Sequence, residues 1–200
     1  RESRKQKTNF YGPQAPQTMH VVGEEKTHNI RVVRRYRHLG GISHHTGEQI
    51  AELSQRAAMG HQALNQHRKM LFQNDRIALG KRAELFTMLV LSKCLYGADS
   101  WVFTNQKTER RFHTMITNLY KRLAKVRPDQ HLTDDEILVR VALPCPAVLL
   151  ARARLRYFAT LVHTGLPDIW ALFAGDTAWI ALLEKDLIWM WTQLQHASAL

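Results

Sequence analysis

The sequence predicts a mainly α fold: a helical bundle preceded by a short β-hairpin and a disordered basic arm, and followed by a further helical segment. Three observations carry that expectation. From Glu48 to Gln73, the residues Ile50, Leu53, Ala57, Gly60, Leu64, His67 and Leu71 step by three and four, which is one continuous helical seam. In Lys81–Trp101, Leu85, Phe86, Met88, Leu89, Val90 and Leu91 lie on every side of a would-be helix, and a helix apolar all round is buried all round. Strand formers interleaved with arginines are confined to a short span ahead of both, His28–Leu39.

Four segments follow. Residues 1–27 are polar and broken by Gly12, Pro13, Pro16 and Gly23, so they read as an irregular basic arm. Residues 28–47 read as a β-hairpin, with Ile30 and Val32 on the first strand, a turn at Gly40-Gly41 and a return over Ile42–His45. Its face holds Arg31, Arg34, Arg35, Arg37 and His38. Two readings stand side by side there: arginine forks grip phosphates, and charged edge strands stay soluble.

Residues 48–127 read as a three-helix bundle. On the first helix Gly60 allows close approach of a neighbour, and His67 reads as a rim histidine rather than a metal ligand. His61 and His67 are six apart and so face different ways. The second helix, Leu79–Tyr96, is the central rod, with Gly97 stopping it and Trp101 plugging the end of the core. It is too short, and too interrupted by Lys93, to span a bilayer, which needs about 20 apolar residues. Thr104 caps a third helix to Val126, its apolar positions Phe112, Met115, Ile116, Leu119, Leu123 and Val126. The cations Lys121, Arg122 and Lys125 gather toward its C-terminal end, where they also suit the helix dipole.

Residues 128–200 read as more helix. Thr133 with Glu136 three later is a capping box. Pro144-Cys145-Pro146 breaks that helix, and Ala147–His163, Ile169–Ala174 and Ala178–His196 follow. The last of these has Ile180, Leu183, Leu187 and Leu194 as its seam, and Trp170, Trp179, Trp189 and Trp191 enrich this end in aromatic surface.

Charge narrows the function. The net charge is +11, from 28 Lys and Arg against 17 Asp and Glu. It is uneven: +6 over residues 1–38, +8 over 39–127 and −3 over 128–200. A basic front and a mildly acidic back favour one surface for a polyanionic partner. Cys94 and Cys145 read as two reduced thiols, too far apart in sequence for a zinc pattern. No apolar leader opens the chain, no membrane partner is expected, and the start at Arg1 reads as a fragment of something longer. No Ser or Cys beside a His on a strained turn suggests nucleophilic catalysis, and there is no glycine-rich phosphate loop. The adjacent Asp134-Asp135 are explained by the helix start, so no set of carboxylates assembles for two-metal chemistry.

At Tyr36 a known pattern enters. Tyr36-Arg37-His38-Leu39-Gly40 resembles the Tyr-x-x-Leu-Gly signature near the end of the palm in reverse transcriptases of LINE-type (non-LTR) retrotransposons. A long helix follows in that family, then a Leu-Val-Leu-x-x-x-Leu-Tyr-Gly helix and a Trp. Here Glu48–Gln73, Leu89–Gly97 and Trp101 resemble them in order. Thr104, Glu109-Arg110-Arg111 and Lys121-Arg122-Leu123 are similar to its next helix. Asp135-Glu136-Ile137-Leu138, Leu143-Pro144, Arg152–Arg156 and Leu155-Arg156-Tyr157 with His163 resemble its linker and closing helix. The resemblance covers residues 30–165; residues 166–200 match nothing quotable.

The resemblance implies the end of the palm, the thumb and the helical segment after it. The family's catalytic aspartates lie upstream of the Tyr36 signature, so no catalytic residue is carried over. Magnesium is expected in the missing palm. The implied partners are an RNA template and a DNA primer as an RNA–DNA duplex, and the palm and fingers of the same polyprotein, in an intracellular setting (nucleus or cytoplasm). Candidate phosphate contacts, from charge and resemblance, are Arg34, Arg35 and Arg37 on the hairpin, Arg56, Arg68 and Lys69 on the first helix, and Lys121, Arg122 and Lys125 on the third. Two rivals are a stand-alone nucleic-acid-binding helical module and a helical adaptor that binds protein through its Trp-rich back half.

Overall fold

The computed structural model describes residues 18–22, 27–31, 35–38, 41–44, 47–103, 105–127, 129–165, 169–171 and 175–198. The chain divides into two compact units, residues 1–52 and 53–200, with the division inside the first turn of a long helix. The fold is mainly α.

The first unit holds two antiparallel hairpins. Strands β1 (Thr18–Val22) and β2 (Thr27–Arg31) pair with Thr18 opposite Arg31 and Val22 opposite Thr27. Strands β3 (Arg35–His38) and β4 (Gly41–His44) pair with Tyr36 opposite Ser43 and His38 opposite Gly41. Two expectations change here. Residues 18–22 form a strand rather than part of an irregular arm, because Thr18, Val21 and Val22 supply β-branched propensity that flanking Pro16 and Gly23 mask in the sequence. The predicted strand 28–39 is split: its front pairs backward with β1 and its rear pairs forward with β4. Residues 1–17 lie outside the described residues. Behind β4, the Ile42 N–H donates to buried Glu52 Oε2 at 2.5 Å.

The second unit is built on helix α1 (Ile50–Gln66). Its seam packs as read: Leu53 and Leu64 are buried and Gly60 is a close-approach point. A Cβ at Gly60 would collide with Cys94 Sγ, so the missing side chain is what lets the two helices meet there. The helix ends earlier than its periodicity suggests. A π-helical turn, Arg68–Phe72, follows, in which the Gln73 N–H reaches back to Arg68 O at 2.8 Å. That turn delivers Phe72 into the core, where its ring meets Phe86 edge-on at 5.8 Å. Buried Arg82 donates from Nη1 to the Phe72 carbonyl at 3.0 Å, so an arginine satisfies a helix-end acceptor.

The central rod runs as α2 (Leu79–Phe86), a second π-helical turn (Thr87–Leu91) and α3 (Ser92–Cys94). It is not buried all round. Phe86, Val90, Leu91 and Cys94 face the core, but Met88 is 68% exposed. The exposed side is marked by Thr87 and Ser92, whose hydroxyls bond back to Ala83 O and Met88 O within the helix. Gly97 ends the run at φ +74, and Trp101 closes the core against Phe103 and Phe112.

Helix α4 (Gln106–Leu123) is capped by Asn105, whose Oδ1 accepts from the Thr108 N–H at 2.8 Å; Thr104 lies outside the described residues. Phe112, Met115, Ile116, Leu119, Tyr120 and Leu123 form its buried face. Helix α5 (Asp134–Val141) carries the expected capping box between Thr133 and Glu136. Helix α6 (Pro146–Thr164) starts on a proline at its first turn.

One apolar cluster runs from Leu53 through α4 to Ile137, Val141, Leu149 and Leu150, so residues 53–127 and 128–200 do not separate at 128. A second, small cluster of Leu161, Trp179 and Leu183 docks α7 (Thr177–Ser198). There Trp179 Nε1 donates to Asp99 O at 2.8 Å. The buried face of α7 is Trp179, Leu183 and Asp186; Ile180 and Leu194, predicted on the seam, are exposed.

Candidate nucleic-acid interface

Helix α4 ends in a strained turn that aims its last cation. Lys125 sits at φ +55, a conformation that favours glycine. Its Nζ holds the position by donating to Gln73 O at 2.9 Å and pairing with Asp75. One helical turn earlier, Arg122 Nη1 meets His61 Nδ1 on α1 at 2.9 Å. An arginine can only donate, so that imidazole nitrogen accepts and the ring is neutral there. Burial first, and the Arg122 charge second, push the His61 pKa below its ordinary value. Lys121 stands 3.8 Å from Asp134.

Arg68 and Lys69 are exposed on the π-helical turn just before Gln73. Three of the predicted cations, Lys121, Arg122 and Lys125, thus sit at the C-terminal end of α4, and Lys125 reaches the Gln73 carbonyl directly after the turn that bears the other two, Arg68 and Lys69. Two of the five face a carboxylate, which lowers the net charge of the surface. Those pairs are solvent-exposed, where water and salt screen them, so a phosphate competes with them readily. Lys125 also holds the Asp75 carboxyl below the usual carboxylate range, chiefly through its hydrogen bond.

Arg56 is a correction. It is 2% exposed and cannot reach a duplex. Its guanidinium lies 4.6 Å from the centre of the Tyr96 ring, a cation–π contact, and Nη1 points to Met59 Sδ at 3.6 Å. The close approach at Gly60 draws this part of α1 against the rod and covers Arg56. Arg35 and Arg37 occupy alternate positions of β3, opposite His44 and Ile42, in the first unit. Arg34 lies outside the described residues.

Sequence reasoning missed His61 as the Arg122 partner; the two are 61 residues apart and no local signal joins them. It also missed the buried Arg154–Asp186 pair between α6 and α7. The spacing Trp179–Leu183–Asp186 on one helical face was the available sign. Among the described residues no group of three or more His, Cys, Asp or Glu is placed to hold a metal ion. No helix among them is long and apolar enough to cross a membrane.

No protein-family model matches the chain, and no curated protein or solved structure shows significant similarity to it.

Proposed function

We propose that the chain holds nucleic acid as the thumb and connecting part of a LINE-type RNA-directed DNA polymerase. Its helical unit grips an RNA–DNA template–primer duplex through phosphates. The observation that supports this reading is the cluster of Lys121, Arg122 and Lys125 at the end of α4, tied through Lys125 and Gln73 to the turn that bears exposed Arg68 and Lys69. Contacts of this kind depend on salt and hardly on sequence. In this reading the chain contributes no catalytic group. The aspartates and their magnesium belong to a palm encoded in the same polyprotein.

The test is fluorescence anisotropy of the folded chain with a labelled RNA–DNA hybrid, titrated across salt. Binding falls steeply as salt rises. The variant Lys121→Ala/Arg122→Ala/Lys125→Gly lowers the salt slope by about one unit for each phosphate it no longer grips. Glycine is used at position 125 because it fits the positive φ. An unchanged slope refutes these residues as phosphate contacts. No binding at low salt refutes the whole reading.

A second reading is favoured by α7, where Ile188, Trp191 and Leu194 are exposed together on the outer side. A protein-binding adaptor would use that face, and would show no salt-dependent binding to the hybrid.

A further inference from the structure

Beside the buried face of α7 lies a cavity of about 240 Å³, formed where α4, the start of α6 and α7 meet. It is distinct from the phosphate surface. Trp101 and Phe103 line it from the segment before α4, and Trp189 lines it from α7. Its volume exceeds the ~150 Å³ of a cavity that takes benzene, yet falls short of the roughly 300 Å³ at which drug-sized sites begin. The size therefore suits one small aromatic ring system.

Glu109, His113 and Lys185 also line the cavity, but the buried polar groups of the lining are Arg154 and Asp186. Arg154 is more than nine-tenths buried. Its Nε and Nη2 donate to the Asp186 carboxylate at 2.5 and 3.1 Å. The remaining nitrogen, Nη1, has no protein partner among the described residues, and it is not enclosed as a buried orphan either. It therefore keeps solvent access, and Arg154 is itself one of the residues that line the cavity. Asp186 offsets the guanidinium, and Glu109 offsets Lys185 elsewhere in the lining, so the cavity offers a hydrogen-bond donor without net formal charge. That combination suits a neutral ring bearing an acceptor better than a phosphate, for which the lining supplies no excess of positive charge.

We infer that this cavity takes a single unpaired nucleobase. The ring stacks on aromatic wall residues, and an acceptor on its edge takes the hydrogen bond from Arg154 Nη1. Every nucleobase carries such an acceptor, and stacking on aromatic side chains is how single-stranded bases are commonly held. The inference rests on the nucleic-acid reading above: the base would belong to an unpaired end of the nucleic acid that the basic surface holds.

The test compares a blunt RNA–DNA hybrid with one carrying a short single-stranded RNA overhang that contains 2-aminopurine, a base whose emission is quenched on stacking. The overhang tightens binding about tenfold, within what one stacked base supplies, and its fluorescence falls as the complex forms. Ala147→Phe, a substitution at an exposed position on the cavity lining, and Trp189→Ala abolish both effects and leave blunt-hybrid affinity unchanged. A blunt hybrid that binds with no gain from the overhang overturns the base site while the duplex reading stands. If neither hybrid binds, the duplex reading fails, and 2-aminopurine riboside alone decides the cavity. Quenching by the wild-type chain but not by Ala147→Phe supports the site, and no quenching overturns it. Displacement of the riboside by an equal concentration of N-acetyltryptophanamide also overturns it, in favour of a partner side chain.

Discussion

Replacing Gly60 by Ala tests the contact on which the helical unit is assembled. Alone, the change should stabilise α1, because alanine is about 1 kcal/mol better than glycine in a helix interior. The structure predicts the opposite sign. The new Cβ would overlap Cys94 Sγ, with Leu119 Cδ1 at 3.4 Å and Val90 Cγ1 at 3.9 Å closing the other directions. Cys94, Val90 and Leu119 are fully buried, so none can swing into solvent. Overpacking of this kind costs about 1–3 kcal/mol. The upper half of that range applies here, which leaves a net loss of about 1–2 kcal/mol.

The partner change Cys94→Ala removes the colliding sulfur. It costs about 1 kcal/mol by itself as a small buried truncation. In the double variant the new methyl group at position 60 fills the space the sulfur leaves, and stability returns to within about 0.5 kcal/mol of wild type. The coupling is thus about 2 kcal/mol, well above the ~0.5 kcal/mol scatter of independent sites. Urea unfolding followed by tryptophan emission and far-UV circular dichroism measures all four corners. A Gly60→Ala chain as stable as wild type, with Cys94 intact, refutes the reasoning. So does a double variant no better than Gly60→Ala.

Further outcomes are expected from other parts of the fold. Asp186→Ala strands a buried guanidinium and should cost about 3–5 kcal/mol, seen as loss of α7 docking in near-UV circular dichroism. Arg154→Met with Asp186→Leu should restore most of that loss, and a double variant as poor as the single one would show that the pair is not the cause. Thr133→Ala removes the α5 cap and should cost about 1 kcal/mol at neutral pH. It should also blunt acid sensitivity. Hydrogen bonds from the Thr133 backbone, then its side chain, hold the Glu136 carboxyl below its ordinary 4.5. A depressed carboxylate stabilises the fold above that ordinary value and loses the contribution as pH falls through the lower folded one. Urea midpoints measured from pH 5 downward should therefore fall less in the variant than in wild type. Finally, burial pushes the Cys94 thiol up to about 12, so at pH 8 iodoacetamide should label only the half-buried Cys145 of the native chain. Mass spectrometry finding Cys94 labelled first would contradict its burial.

Much of the fold was legible because it rests on spacing. The α1 seam, the Gly60 approach, the Gly97 stop, the Trp101 plug and the Thr133 capping box each follow from a local rule about period or backbone geometry. What failed had a non-local cause. Met88 looks like core by composition, but its position on the rod turns it outward. Arg56 and Arg154 look like surface by residue type, yet one lies against Tyr96 and the other is paired with Asp186. These partners belong to other helices or turns far along the chain, and no periodicity encodes them. The π-helical turns were equally hidden, since each shifts the phase of a seam by about one residue without any breaker in the sequence. Of the candidate site, the charge of α4 was legible and its carboxylate and imidazole neighbours were not.

The unequal apolar clusters set an order of opening. Among the described residues, α7 is held by Trp179, Leu183, half-buried Leu187 and the Arg154–Asp186 pair, while α4 is anchored in the much larger core that runs from Leu53 to Leu150. In native-state amide exchange, α7 protons should therefore exchange through a sub-global opening of lower free energy than the opening that frees α4. The wall supplied by Trp189 leaves with α7, so the cavity exists only in the closed population. Apparent affinity for any occupant is scaled by that closed fraction. Conversely, an occupant slows α7 exchange without touching α4, which makes the exchange rate of this one helix a reporter of the cavity's filling.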